Sequence, residues 1–327
     1  VRILVTGGMG TVGAVLTHYL RLKGCDVWTC DLAHGNHSQH IRCDVAQYRQ
    51  LERIFKDRTF DLVYHLAAEY GRWNGEEYYE QLWCSNVVGT KNVLRIQEMY
   101  KFRMVFASTS EVYGDTTETM SEDLMDKQEV RQLNDYAISK WVGEMQIMNS
   151  AAMAGTETVR VRLFNTYGPG EYFSPYRSAI CRFIYCTLMG TPYTVYLNHS
   201  RTSIYIKDTV ATLIRLADTF IPGEVFNIGG SENHTMKDVS DLILEYLEKD
   251  DSLVSYAEAE PFTTRMKKLD TTKAQKVLGH SPQVMLENGI VRTIDWMRRV
   301  YVDGVDVPPC SYIGEIDERT CSGCSPR

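Results

Sequence analysis

Short apolar runs alternate with longer amphipathic stretches through the first half of the chain. Segments 1–6, 26–30, 60–68, 103–109 and 156–164 are rich in β-branched and aromatic residues, the pattern of parallel strands buried on both faces. Between them apolar positions recur at helical spacing, as at Val15-Leu16 and Tyr19-Leu20, over 82–100 and over 136–152. This alternation predicts an α/β fold, a Rossmann-like doubly wound parallel sheet. Beyond Pro169 it becomes irregular. A strand at 193–196, a run at 201–208 leading into an apolar helix at 210–220, a strand and turn at 223–230, and amphipathic helices at 236–247 and 286–301 follow. These pieces are too few for a second independent fold and predict a smaller lobe closing over the strand ends. The expected division is 1–168 plus returning segments for the sheet domain, 169–305 mostly for the lobe, and 306–327 for a polar tail.

Composition narrows the function classes. The 327 residues are 44% hydrophobic and 24% charged, as in an ordinary soluble globular protein. A net charge of −7 disfavours nucleic acid and anionic membranes as partners, so any phosphate must be held by local amides and a few arginines. No apolar stretch is long enough to span a bilayer, and nothing resembles a signal peptide. The nine cysteines are odd in number and scattered, which predicts reduced thiols and a cytoplasmic enzyme. Cys321-Ser-Gly-Cys324, with Cys310 upstream, has a metal or redox spacing but lies in a polar stretch, and is read as a flexible end. No His-x-x-x-His or close acidic cluster argues for a metal.

The first strand runs directly into Gly7-Gly-Met-Gly10-Thr11-Val12-Gly13 and then into a helix. That order suits dinucleotide binding: Gly7 permits the turn, Gly10 lets backbone approach a pyrophosphate, and Gly13 lets the helix pack closely. The anion would rest on the helix N-terminal amides. Asp31, ending the second strand, is spaced to bond the ribose hydroxyls and to repel a 2′-phosphate, so NAD is expected rather than NADP. Asp44 and Val45 are placed near the adenine, and the small Leu66-Ala67-Ala68 run lets the cofactor lie against backbone. His65, within that strand, is read as a packing histidine. Residues 69–80 form a polar loop rich in aromatics that would overhang the strand ends.

Tyr136 and Lys140 are four apart at the start of a helical run, one turn apart on the same face. The ammonium would lower the phenol pKa and make it a general base for an alcohol proton. Alone the spacing also fits a surface pair. It gains weight from Thr109, Ser110 and Glu111 at the end of the 103–109 strand.

Together these motifs resemble the extended short-chain dehydrogenase/reductases, specifically the nucleotide-sugar epimerases, dehydratases and decarboxylases. The resemblance runs from Ile3 to about Met297 and includes Ser108–Gly114, Tyr136–Lys140, Arg162–Pro169, Arg201 before Tyr205-Ile206, and Lys273-Ala with Leu278-Gly279 and Pro282. It implies that Tyr136 takes the proton of a sugar C4 hydroxyl while hydride passes to NAD. Lys140 would bind the nicotinamide ribose, and Thr109 the same hydroxyl. Asn165 and Arg201 would hold the diphosphate of a nucleotide sugar. Arg265 would assist, although the family's Arg-Pro-Gly-Asp is here Arg-Met-Lys-Lys. The reaction after oxidation turns on Ser110 and Glu111. A 4,6-dehydratase, with Glu111 removing the C5 proton, is the leading expectation. A UDP-glucuronate decarboxylase, with Arg72 holding the C6 carboxylate, and a 4-epimerase are the alternatives. A homodimer through helices 82–100 and 136–152 is implied as well. The rival from another class is a non-catalytic NAD sensor on the same fold, which would not need Thr109, Tyr136 and Lys140.

Overall fold

The structure is a computed structural model, and it describes residues 1–316. Six strands, β1 (Arg2–Thr6), β2 (Asp26–Asp31), β3 (His40–Arg42), β4 (Leu62–His65), β5 (Arg103–Thr109) and β6 (Thr158–Leu163), join Val225–Ile228 in one sheet. Its order is Val225–Ile228, β6, β5, β4, β1, β2, β3, and every neighbouring pair is parallel. The sheet domain therefore draws its last strand from beyond residue 169. Successive residues enter opposite cores: Ile3 and Val5 pack on one side with Tyr64 and Val105, and Leu4 on the other with Val63 and Met104. Two-sided burial is why these strands read as unbroken apolar runs. The order reverses between β1 and β4, which opens a crevice at their C-terminal ends.

Helices α1 (Thr11–Leu22) and α2 (Tyr48–Asp57) follow β1 and β3. The stretch 69–80 departs from the expected loop. It holds α3 (Arg72–Glu77) and the start of α4 (Tyr79–Trp83), which runs through a π-helical turn, Cys84–Gly89, into α5 (Thr90–Tyr100). Asn86 in that turn accepts a hydrogen bond from the Glu69 amide (2.9 Å) and donates to the Glu69 carbonyl and to Ser139 Oγ (both 3.0 Å). The π-turn thus anchors the segment that overhangs the crevice. After the short α6 (Leu124–Lys127), α7 (Asp135–Ala154) is capped by Asn134 Oδ1 on the Ala137 amide (2.8 Å) and ended by Gly155 at φ 64°.

Beyond residue 169 the chain forms α8 (Ala179–Met189), the helix Met236–Tyr246 and the parallel pair Tyr193–Tyr196 with Val254–Ala257. The end of the described chain is no loose tail. Ile313 is fully buried, Trp296 Nε1 donates to the Val307 carbonyl (3.1 Å), and Tyr205 donates to the Tyr312 carbonyl (3.3 Å). Apolar side chains spaced among the polar ones dock residues 306–316 on the body. Cys321 and Cys324 lie outside the described residues. Among the described residues no helix is long and apolar enough to cross a membrane.

Candidate active site

One cavity of about 640 Å³ runs from the glycine turn, across the ends of β1, β4, β5 and β6, to the lobe, a size suited to ligand binding. At the first end Gly7 takes φ +70°, and a Cβ on Gly13 would lie 2.1 Å from the Gly7 carbonyl oxygen, so turn and helix touch as the spacing requires. Gly10 caps α1 without a side chain, leaving the first-turn amides for an anion. Asp31 Oδ2 accepts from the Met9 amide (2.9 Å), which holds the carboxylate at the cavity wall. Thr11, Val12, Asp44, Val45 and Leu66–Ala68 line the same wall. The residues present fit a dinucleotide whose pyrophosphate rests on α1 and whose ribose meets Asp31.

At the other end Thr109, Ser110, Glu111, Tyr136 and Lys140 come together. The chain turns into a 3-10 helix after β5, with Thr109 Oγ1 accepting from the Glu111 amide (3.2 Å). Tyr136 and Lys140 reach the cavity from the first turns of α7. The expected acidic phenol is not found in the protein alone: burial raises the Tyr136 pKa to about 12, a hydrogen bond with Thr109 pulls it down, and the Glu111 charge adds to the rise. Lys140 is absent from those causes. Burial lowers its own pKa to about 8 against the opposing pull of Glu144, and its Nζ lies 4.9 Å over the Phe106 ring. Desolvation governs the phenol, and the ion–phenol attraction that helical spacing suggests is not felt.

His65 sits behind this wall, with its ring nitrogens against the hydroxyls of Thr6 (2.8 Å) and Thr90 (3.2 Å), as a packing residue. Asn165, at φ 46°, lines the cavity with a buried Oδ1 that has no protein donor, as a ligand-facing acceptor would. Arg201 is held by the carbonyls of Ser200 and Arg265 (both 2.9 Å) and lines the cavity.

A match to the family model described as "NAD dependent epimerase/dehydratase family" covers residues 3–229, well over half of the chain. The chain belongs to that family. Like the family, it takes NAD. A UDP-N-acetyl-alpha-D-glucosaminuronate decarboxylase of Bacillus cytotoxicus is 29% identical over 92% of this chain and 99% of its own length. UDP-glucuronic acid decarboxylase 1 of Danio rerio is 29% identical over 91% of this chain and 73% of its own. The crystal structure of UDP-glucuronic acid 4-epimerase from Bacillus cereus, in complex with UDP-glucuronic acid and NAD, superposes with a TM-score of 0.83. It is 26% identical, with 92% of this chain and all of that one covered.

For this family member one expected residue is misplaced. Arg265 is exposed and lies outside the main cavity, beside Asp115 and Phe262, and only its carbonyl reaches inward. The inward cation is Lys267, 1% exposed, whose Nζ donates to Ser110 Oγ (2.8 Å) and pairs with Glu111. Counting the family's Arg-Pro-Gly-Asp back from Asp270 rather than forward from Arg265 would have found it. Burial raises the Glu111 pKa, but the charges of Lys267, Arg201 and Arg72 outweigh it and leave the carboxyl below its ordinary value. Burial lowers that of Lys267. Two further groups have no local sequence signal. Glu260 pairs with Arg72 across the cavity, and Glu144, fully buried in α7, is bound by Arg162 through Nε (3.0 Å) and Nη2 (2.8 Å) and by Ser108 (2.5 Å).

Proposed function

We propose that the chain oxidises C4 of a UDP-hexuronate transiently and releases its C6 carboxylate as CO2. The reading is carried by one observation: Arg72, whose buried Nε has no acceptor, lines the cavity that also holds Tyr136, Thr109 and Glu111. Support comes from relatives along nearly the whole chain whose names specify uronic sugars.

In this reading Asn165 and Arg201 hold the diphosphate and Thr109 bonds the C4 hydroxyl. Tyr136 takes the hydroxyl proton, which requires its phenol to be brought well below the value it has in the protein alone; Lys140 is the cation placed to do so. Bound NAD would supply the acceptor for the C4 hydride and the donor for its return. The C4 ketone stands β to the C6 carboxylate, so the C5–C6 bond pair can flow towards the ketone as CO2 leaves. The resulting enolate takes a proton at C5, and the buried Lys267, seated on Ser110 and Glu111, is an acid available for that step. Epimerisation at C4, with hydride returned to the opposite face, is the second reading, favoured by the likeness to the Bacillus cereus epimerase. Glu111 as the base of a 4,6-dehydratase has less support: it is ion-paired with Lys267, and none of the three relatives is a dehydratase. A lobe mostly over 169–305 that binds the substrate, a cytoplasmic setting and a homodimer belong to the same proposal. The dimer is supported by exposed Val88, Met145 and Met148 on the two helices concerned. Light scattering at micromolar protein would read twice the chain mass if it forms.

Incubating the NAD-loaded protein with UDP-glucuronate, UDP-N-acetylglucosaminuronate, UDP-glucose and UDP-galactose, and weighing the products, tests the reaction. Loss of 44 Da, about the mass of CO2, from a uronate fits the decarboxylase; unchanged mass with altered stereochemistry selects the epimerase; loss of water selects the dehydratase.

A further inference from the structure

The guanidinium that the decarboxylase reading assigns to the substrate carboxylate is already occupied. Arg72 pairs with Glu260, whose Oε1 also accepts from Trp73 Nε1 (3.0 Å), while the Glu260 amide donates to His199 Nε2 (2.9 Å). The side chains of Arg72 and Glu260 are only 13% and 11% exposed, and both line the cavity with Glu111, Arg201 and Lys267. The contact bridges two distant segments, the overhang after β4 and the stretch following Val254–Ala257. Glu260 leaves the Arg72 fork incompletely used, because the Arg72 Nε is buried with no acceptor. A carboxylate arriving from the substrate could take that face in a bidentate pair. Two residues beyond Glu260, Phe262 is held at φ 56° with its ring exposed, a backbone region that a bulky residue seldom adopts.

We propose that Glu260 is an internal competitor for the C6 carboxylate of the substrate: it holds Arg72 between turnovers, yields it when a uronate binds, and so sets the preference between uronate and neutral sugars. The inference rests on the uronate reading above and adds the residue that tunes it. Two carboxylates cannot share one desolvated guanidinium without repulsion, so each uronate must displace Glu260 from Arg72. A neutral hexose need not.

The test is calorimetric titration of the NAD-loaded Tyr136→Phe protein, which cannot turn over, with UDP-glucuronate and UDP-glucose. Adding Glu260→Gln should tighten UDP-glucuronate about tenfold, the size of one modest charge interaction, and leave UDP-glucose within about twofold. Arg72→Gln should weaken UDP-glucuronate selectively and abolish the effect of Glu260→Gln in the double variant, a coupling that a merely structural role would not produce. If Glu260→Gln changes both ligands equally, or neither, the proposal fails. If it fails to fold, Arg72→Gln alone decides, and equal affinity loss for both sugars overturns the proposal. Uronate affinity unaffected by either substitution, with CO2 released from UDP-glucuronate by the protein that keeps Tyr136, would sink the proposal and leave the decarboxylase reading standing. No uronate affinity in any variant would sink both.

Discussion

In the proposed reaction Tyr136 carries the chemistry, and its environment sets the conditions under which it can act. Burial raises its pKa to about 12, so the proposed base needs bound ligands to lower that value before it takes a proton at neutral pH. Tyr136→Phe should cut turnover at least about a thousandfold, within the span of general-base catalysis, while NAD binding followed by fluorescence quenching stays unchanged. His65 offers a separate pH signature. Burial, with a smaller push from Lys140, lowers its pKa to about 3, against about 6.5 in the unfolded chain. As pH falls below that unfolded value, the unfolded state takes up a proton that the folded state refuses. The stabilisation from neutral His65 is therefore whole above pH ~6.5 and is lost progressively towards pH ~3. Urea denaturation of His65→Asn between pH 6.5 and 4.5 should show a stability slope shallower by about 1.4 kcal/mol per pH unit than the parent's.

At the scale of elements, two contacts hold the site in shape. The start of α1 lies against the glycine turn so closely that Gly13→Ala must push the helix off the strand. An overpacking cost of about 1–3 kcal/mol is expected, and because the displaced amides are those facing the pyrophosphate, NAD affinity should fall with it in a thermal-shift titration. The second contact ties α7 to the sheet. Glu144 stands two turns beyond Tyr136 and takes both Arg162 and Ser108, while Arg162 Nη1 also donates to Tyr113 (2.7 Å) and Tyr113 to Asn227 (2.8 Å). Glu144→Gln leaves a buried arginine without its counter-charge and should cost about 3–5 kcal/mol in denaturation. Glu144→Gln with Arg162→Met should recover part of that loss.

At the scale of the whole molecule, the site is a product of closure. Arg201, Glu260 and Lys267 all arrive from beyond residue 169 to meet Glu111 and Arg72 from the sheet domain, and Val225–Ile228 returns to complete the sheet. The last described segment braces this arrangement, since Ile313 is buried in the same core as Val15 and Tyr205. Ile313→Ala should destabilise by about 2–5 kcal/mol, read as a lowered melting temperature, although the residue lies far along the chain from the glycine turn.

The sequence by itself determined the sheet, the cofactor turn and the helical spacing of the proposed catalytic pair. Buried strands need runs of apolar residues, a tight turn needs glycine, and helical spacing brings Tyr136 and Lys140 to one face; each is a local constraint written in neighbouring residues. It also placed Thr109, Glu111 and Asn165 at strand ends, because strand ends are where this architecture opens, while Arg201 was implied only by the family resemblance. It missed β3, whose three residues are not buried, and α8, whose apolar positions merge with an irregular stretch. Only the tertiary structure decided which cation meets Glu111, which carboxylate holds Arg72, and how far burial moves the tyrosine. The first two depend on side chains more than 100 residues apart sharing one desolvated cavity, and the third on how deeply that cavity buries the phenol; there charge balance and lost hydration outweigh any preference that local spacing can encode.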